Sequence, residues 1–185
     1  NYCCELGLQM MIGLPGDNYD RSIQTANDIV SLGAGNTRIY PAIIVKGTAL
    51  EKLYRKGEYI PLTLEQAVEW TKDIVHIFEE NNVSIIRMGL HPSDELVIGK
   101  SLIDGPFHAS FKEIVMTHIW KEIIDTELQR ISSSSSNKIN ITVSDRQLHY
   151  AIGYRQANKE LLKSRGYNVS FTRNPSFSQY QLNIG

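Results

Sequence analysis

Cysteine is nearly absent from this chain: two residues, Cys3 and Cys4, stand side by side. Neither a disulfide framework nor a four-thiolate metal site can be assembled from such a pair within one chain, so a reducing cytoplasm is the predicted home. An excess of charge of one sign is also missing. The 19 Lys and Arg against 20 Asp and Glu leave a formal charge of -1, which excludes a global electrostatic footprint for nucleic acid or anionic membrane and leaves room only for a local patch. No apolar run approaches the ~20 residues that span a bilayer, and no basic segment precedes an apolar stretch at the start, so neither a membrane span nor a secretory signal is predicted. The chain opens at Asn1 without an initiator Met and enters a strand-like run by Leu6; this predicts a piece of a longer protein. What is there, 185 residues of which 42% are hydrophobic, suffices for a domain with a small appendage.

Short apolar runs closed by Gly and Pro alternate with longer segments of helical spacing. Residues 7–13 read as a buried strand that ends in Gly-Leu-Pro-Gly-Asp. From Tyr19 to Leu32, Ile23, Ala26, Ile29 and Val30 recur at helical spacing, with Asn18 or Asp17 as N-cap and Gly33 as stop. Residues 37–45 are β-branched and aromatic and predict a second strand; 48–56 a short helix; 63–80 a long helix opened by Pro61-Leu62-Thr63; and 83–90 a third strand. A loop rich in Gly, Pro and His fills 91–108, and 109–131 reads as one amphipathic helix. Strands alternating with helices imply parallel pairing through crossovers. The predicted fold is therefore α/β, part (half) of a β/α barrel over 1–131. Ser132 to Ser136 predict a flexible linker, assigned to 132–137. A small β-α-β appendage follows over 138–185, with strands at 138–143 and 167–172, a helix at 145–164 and a further strand near 179–184.

Three segments resemble the radical S-adenosylmethionine (radical SAM) family, and within it the group around the Elongator catalytic subunit and the oxygen-independent coproporphyrinogen oxidases. Gly7-Leu8-Gln9-Met10-Met11-Ile12-Gly13-Leu14-Pro15-Gly16-Asp17 is similar to the family's fifth barrel strand and its turn. Thr37-Arg38-Ile39-Tyr40-Pro41, with Gly47-Thr48-Ala49-Leu50 and Gly57-Glu58-Tyr59, resembles the sixth strand and the helix after it. Ile86-Arg87-Met88-Gly89-Leu90 and Gly105-Pro106-Phe107-His108 are closer to the Elongator-like branch than to the porphyrin branch. The resemblance is good over 7–115 and weaker over 138–185. It implies an Fe-S oxidoreductase that uses S-adenosylmethionine and a [4Fe–4S] cluster to generate a 5′-deoxyadenosyl radical. The family's CxxxCxxC motif is absent here, and adjacent cysteines cannot present three spaced thiolates to a cubane. The expectation is an inactive fragment with no bound cofactor and no metal, whose partner is the missing N-terminal half of the barrel. An RNA substrate is implied if the Elongator-like resemblance extends that far, while 138–185 is too short for that family's acetyltransferase domain.

Strand parity places Gln9, Met11 and Gly13 on one face and Met10 and Ile12 on the other. The resemblance assigns nucleoside contact to the first strand: the Gln9 amide for ribose hydroxyls, Met11 for adenine, and Gly13 for close backbone approach. Arg38 and Tyr40 share a face of the next strand and extend the cofactor set, one for a carboxylate and the other for stacking. Arg87, His91 and His108 are the substrate-side candidates. The competing readings are structural: ion pairs for Arg38 and Arg87, solvated loop histidines for His91 and His108, and a solvated helix face for Lys159, Lys163 and Arg165. Two other functions compete with the enzyme, a non-catalytic nucleotide-binding or protein-interaction module and a porphyrin-biosynthesis oxidase. A half-barrel exposes strand edges, which predicts self-association of the isolated chain.

Overall fold

A computed structural model describes residues 5–92, 96, 100–131 and 137–185. Cys3, Cys4 and the run Ser132 to Ser136, which is all of the expected linker but Asn137, lie outside the described residues. The chain divides into two compact units, 1–112 and 113–185.

The first unit is built on a parallel sheet of β1 (Gly7–Ile12), β2 (Asn36–Pro41) and β4 (Ser84–Met88), in that order. Helix α1 (Tyr19–Ser31) links the first two strands, and α2 (Ala49–Arg55) and α3 (Leu64–Glu80) lie between the second and third. Each of these helices starts on a side chain that satisfies an otherwise orphaned N–H. Asn18 accepts from Arg21 N, Thr48 from Glu51 N, and Thr63 with Gln66 forms a reciprocal capping box. Met10, Ile12 and Ile39 are buried with Ile29, Val68, Ile74, Val75 and Phe78 from α1 and α3. The sheet thus turns one face to its helices.

The expected strand over 37–45 is two strands. β2 stops at Pro41, which has no N–H to continue a ladder, and β3 (Ile44–Val45) pairs antiparallel with β5 (Leu102–Asp104). β5 falls within what the sequence reads as one long loop over 91–108.

In the second unit β6 (Lys138–Ser144) lies between β7 (Asn168–Asn174), parallel to it, and β8 (Leu182–Ile184), antiparallel. α4 (Phe111–Arg130) contributes Trp120 and Ile124 to a core with Ile139, Ile141, Val143 and Leu162. Trp120 Nε1 donates to the buried Gln147 Oε1 at 3.0 Å, which satisfies a polar group that burial would otherwise penalise. The opposite sheet face is a polar ladder: Asn140 Nδ2 donates to Thr172 Oγ1 at 3.0 Å, and Thr142 and Thr172 hydroxyls bond at 2.8 Å. The single helix expected over 145–164 is broken into α5 (Leu148–Ile152) and α6 (Ala157–Ser164). Gly153 at φ 88°, ψ 153° lies in a region open to glycine alone and ends the first helix. The fold is mixed α/β with a parallel three-stranded sheet, as the alternation of segments predicts.

Candidate active-site face

Alternation along β1 leaves Gln9 and Met11 exposed and buries Met10 and Ile12. Register extends that division across the sheet. Gln9 is paired with Arg38 and Met11 with Tyr40, while Met10 is paired with Ile39 on the helix side. On β4 strict alternation from Ile85 would return Arg87 to the helix side. A bulge prevents this: Ile85 is opposite Thr37 and Arg87 opposite Arg38, so Ile86 is the extra residue. The open face therefore carries a row of Gln9, Arg38 and Arg87, followed by a row of Met11 and Tyr40. Arg38 and Arg87 are exposed, Tyr40 is half-buried, and Met11 and Ile86 are 42% and 54% exposed.

Arg38 and Arg87 are register partners across the strands, and neither has a carboxylate partner among the described residues. The structural ion pair that competed with ligand binding is not found there. Like charges directly opposite one another weaken a sheet, so the pair has a cost to folding that a bound anion would offset.

The loop at the end of β1 is rigidly held. Asp17 accepts from Gly13 N at 2.7 Å through Oδ2, from Ser22 Oγ at 2.9 Å through the same oxygen, and from Asn18 N at 2.8 Å through Oδ1. Asp17 N closes the turn onto Leu14 O at 2.8 Å, and the Arg21 guanidinium donates to Gly16 O. From across the sequence the buried Tyr59 hydroxyl donates to Gly13 O at 2.6 Å. Burial pushes the Tyr59 phenol above its ordinary pKa, with Asp104 and Asp17 adding to the shift. Gly13 has φ +76°, and a Cβ there would lie 2.8 Å from Leu62 Cγ. The room that its missing side chain leaves is taken by Leu62. The backbone conformation and this packing both require glycine there.

Asp17, Tyr59 and Leu62 were not among the sequence-predicted site residues. Asp17 stands inside the quoted turn and its short hydroxyl- and amide-rich surroundings were a usable signal. Tyr59 and Leu62 reach the turn from 46 and 49 positions away, which no local pattern reports. Nearby in chain order, Tyr54 donates to Asp104 Oδ2 at 2.7 Å, and that carboxylate holds the Tyr54 phenol above its usual range.

The two histidines differ. His91 is exposed just after β4. His108 is half-buried, and its Nδ1 accepts from Ser110 N at 2.9 Å as α4 begins. Its ring serves the start of that helix. Among the described residues no group of three or more His, Cys, Asp or Glu is placed to hold a metal ion, and no helix is long and apolar enough to cross a membrane.

Residues 36–121 match the family model described as the Radical_SAM C-terminal domain. That match supports a radical SAM C-terminal region. It contains Arg38, Tyr40, Arg87, His91 and His108 and begins after Gln9, Met11 and Gly13. A 66-residue stretch, 36% of this chain, is 36% identical to an uncharacterized protein of Methanocaldococcus jannaschii, of which it covers 20%. The matched stretch thus spans about a fifth of that relative.

Proposed function

We propose that this chain is the C-terminal part of a radical SAM Fe-S oxidoreductase, and that the open face of β1, β2 and β4 holds nucleoside and substrate. The observation that carries the reading is the row of Gln9, Arg38 and Arg87, two of them cations without acid partners among the described residues, on the exposed face of a parallel sheet whose second and third strands lie in the radical SAM C-terminal match. All-parallel sheets are normally covered on both faces, and the remaining strands of the barrel would cover this one. The Ile86–Leu90 and Gly105–His108 segments favour the Elongator-like branch over the porphyrin oxidases.

The donor set fits S-adenosylmethionine. Arg38 offers a bidentate fork to its carboxylate, the Gln9 amide a donor and acceptor to ribose, and Met11 and Tyr40 apolar and aromatic surface to the base. Arg87 and His91 face substrate. When bound with a [4Fe–4S] cluster, the cofactor supplies one-electron reductive cleavage. The described residues do not fit the cluster itself, since they include no cysteine and no metal-holding group; its ligands belong to another segment of the parent protein.

Anaerobic reconstitution of the full-length parent with iron and sulfide, followed by assay for 5′-deoxyadenosine, tests the reading. Cleavage is expected, with Gln9→Ala and Arg38→Ala each reducing it by about tenfold or more, the size of a lost charge-assisted or buried hydrogen bond. Folded parent protein that assembles no cluster and cleaves no S-adenosylmethionine would refute it and leave the nucleotide-binding or interaction module in its place.

A further inference from the structure

The charge of this chain is balanced only as a whole. Residues 137–185 contain seven Lys or Arg against Asp145 and Glu160, a formal +5. That basic stretch folds as strand, helix, turn, helix, strand, with β6 and β7 as parallel neighbours and α5 and α6 between them. The turn is Gly153-Tyr154-Arg155-Gln156.

Its base is fixed to its own unit. Tyr154 N donates to Thr117 Oγ1 at 2.7 Å, and the buried Asn158 Nδ2 donates to Thr117 O at 3.0 Å and to Ala151 O at 3.2 Å. A Cβ on Gly153 would lie 2.8 Å from Asn158 N and 2.9 Å from Thr117 Cγ2, so this contact also requires glycine. Its tip points outward. Arg155 and Gln156 are exposed, at φ +51° and +64°, left-handed conformations that non-glycine residues rarely hold in succession.

Beside the turn lies a cleft of about 420 Å³ whose lining includes Tyr150, Ile152, Tyr154, Arg155 and Lys159, together with His149 and one carboxylate, Glu113. Arg155 stacks over the Tyr154 ring at 5.4 Å. The sequence groups Lys159 with Lys163 and Arg165 as one solvated face. The structure separates them: Lys163 pairs with Glu160 at 2.8 Å and Arg165 with Asp125 at 2.5 Å, whereas Arg155 and Lys159 have no carboxylate partner among the described residues.

We infer that this cleft binds single-stranded nucleic acid, its bases against Tyr150, Ile152 and Tyr154 and its phosphates on Arg155 and Lys159. Stacking surface beside unpaired cations on one rigid edge is the combination that holds a single strand with little sequence preference. A glycine-led loop between two short helices that clamps a nucleotide backbone is also how KH-type modules work. By that analogy the departure here is Gln156 where those loops end in glycine, and Gln156 keeps the left-handed backbone. A duplex, whose bases are already stacked and whose backbone is stiff, fits this cleft less well than a single strand. The inference stands apart from the radical SAM reading, because apart from Glu113 every lining residue falls outside the matched stretch 36–121.

The test is fluorescence anisotropy of the 185-residue chain with a labelled oligouridine or oligothymidine of about twelve nucleotides, competed by a duplex of equal length. Single strand is expected to bind better than duplex, and Arg155→Glu with Lys159→Glu to weaken it about tenfold or more. The charge-matched pair Lys52→Glu with Lys56→Glu, exposed on and beside α2 of the first unit, should change affinity less than about twofold if the second unit carries the site. Amide chemical-shift changes on adding the strand should centre on residues 149–159. Equal weakening by both pairs, absence of binding to either strand, preference for duplex, or shift changes centred elsewhere would each overturn the inference.

Discussion

Substituting Gly13 separates two roles for that residue. With φ at +76°, alanine pays the left-handed penalty of ~1–2 kcal/mol. Its Cβ would also sit 2.8 Å from Leu62 Cγ, an overpacking that costs ~1–3 kcal/mol, nearer the low end because Leu62 is half-buried and can shift. Gly13→Ala is therefore expected to destabilise the first unit by about 3 kcal/mol. Leu62→Ala alone should cost ~1–2 kcal/mol of lost burial. In the Leu62→Ala background the clash disappears and only the backbone penalty remains, so the double variant should be more stable than the sum of the single effects by ~1–2 kcal/mol. The two compact units make a single global unfolding energy unsafe. Native-state hydrogen exchange of the β1 and β2 amides reports the first unit by itself. Costs that add to within ~0.5 kcal/mol would refute the packing argument, and would return Gly13 to the role of admitting a ligand to the backbone.

Arg87→Glu should stabilise the first unit by ~0.5–1 kcal/mol, because it converts a like-charge cross-strand pair with Arg38 into an attractive one; a lower urea midpoint would mean that Arg87 has a structural partner. Thr37 and Thr71 are fully buried with hydroxyls that lack a hydrogen-bond partner among the described residues, so Thr37→Val and Thr71→Val should each raise stability by ~1 kcal/mol, and a loss in either would reveal an unseen partner. Tyr19 and Tyr54 are held above the ordinary phenol value chiefly by hydrogen bonds to Asp73 and Asp104, and Tyr59 chiefly by burial. Because the folded values are raised, their contribution is complete below about pH 10 and is lost as pH climbs through those values. Phenolate absorbance of the wild type against Tyr19→Phe, Tyr54→Phe and Tyr59→Phe should show each of these three ionising above the ordinary phenol value; ionisation of any of them near pH 10 with the fold intact would contradict this.

Much of the architecture was legible because local signals and tertiary outcome agree. Asn18 and Thr63 cap their helices as the sequence predicts, Thr48 caps the short helix expected over 48–56, and the parity of 7–12 divides Met10 and Ile12 from Gln9 and Met11 as the burial shows. The failures fall where one residue overrides a pattern. Pro41 ends a run that remains β-branched beyond it. Gly153 breaks a helix whose apolar spacing continues on both sides, and there the break creates the exposed turn. The bulge at Ile86 is invisible to any period, although it decides which face Arg87 joins. The pins on the Gly13 turn are long-range contacts through Tyr59 and Leu62, which single-sequence reading reaches only after the fold is known.

Two one-sided sheets in the same chain provide an internal comparison for the open face. The outer face of β6 and β7 is made of Asn140, Thr142, Ser170 and Thr172, whose side chains bond to one another across the strands. That face is complete in water: its polar groups are satisfied and it presents little apolar area. The face of β1, β2 and β4 has the opposite character. Met11 and Ile86 are about half exposed, and the register partners Arg38 and Arg87 are like charges with no acid partner among the described residues. A sequence able to finish a solvated sheet face in its second unit leaves the first unfinished. Exposed apolar side chains there call for cover, and two guanidiniums without a carboxylate among the described residues call for an anion. On the proposed reading, one bound molecule with a carboxylate at one end and an aromatic base at the other would meet both requirements, its charged end at the row of Gln9, Arg38 and Arg87 and its base at the row of Met11 and Tyr40.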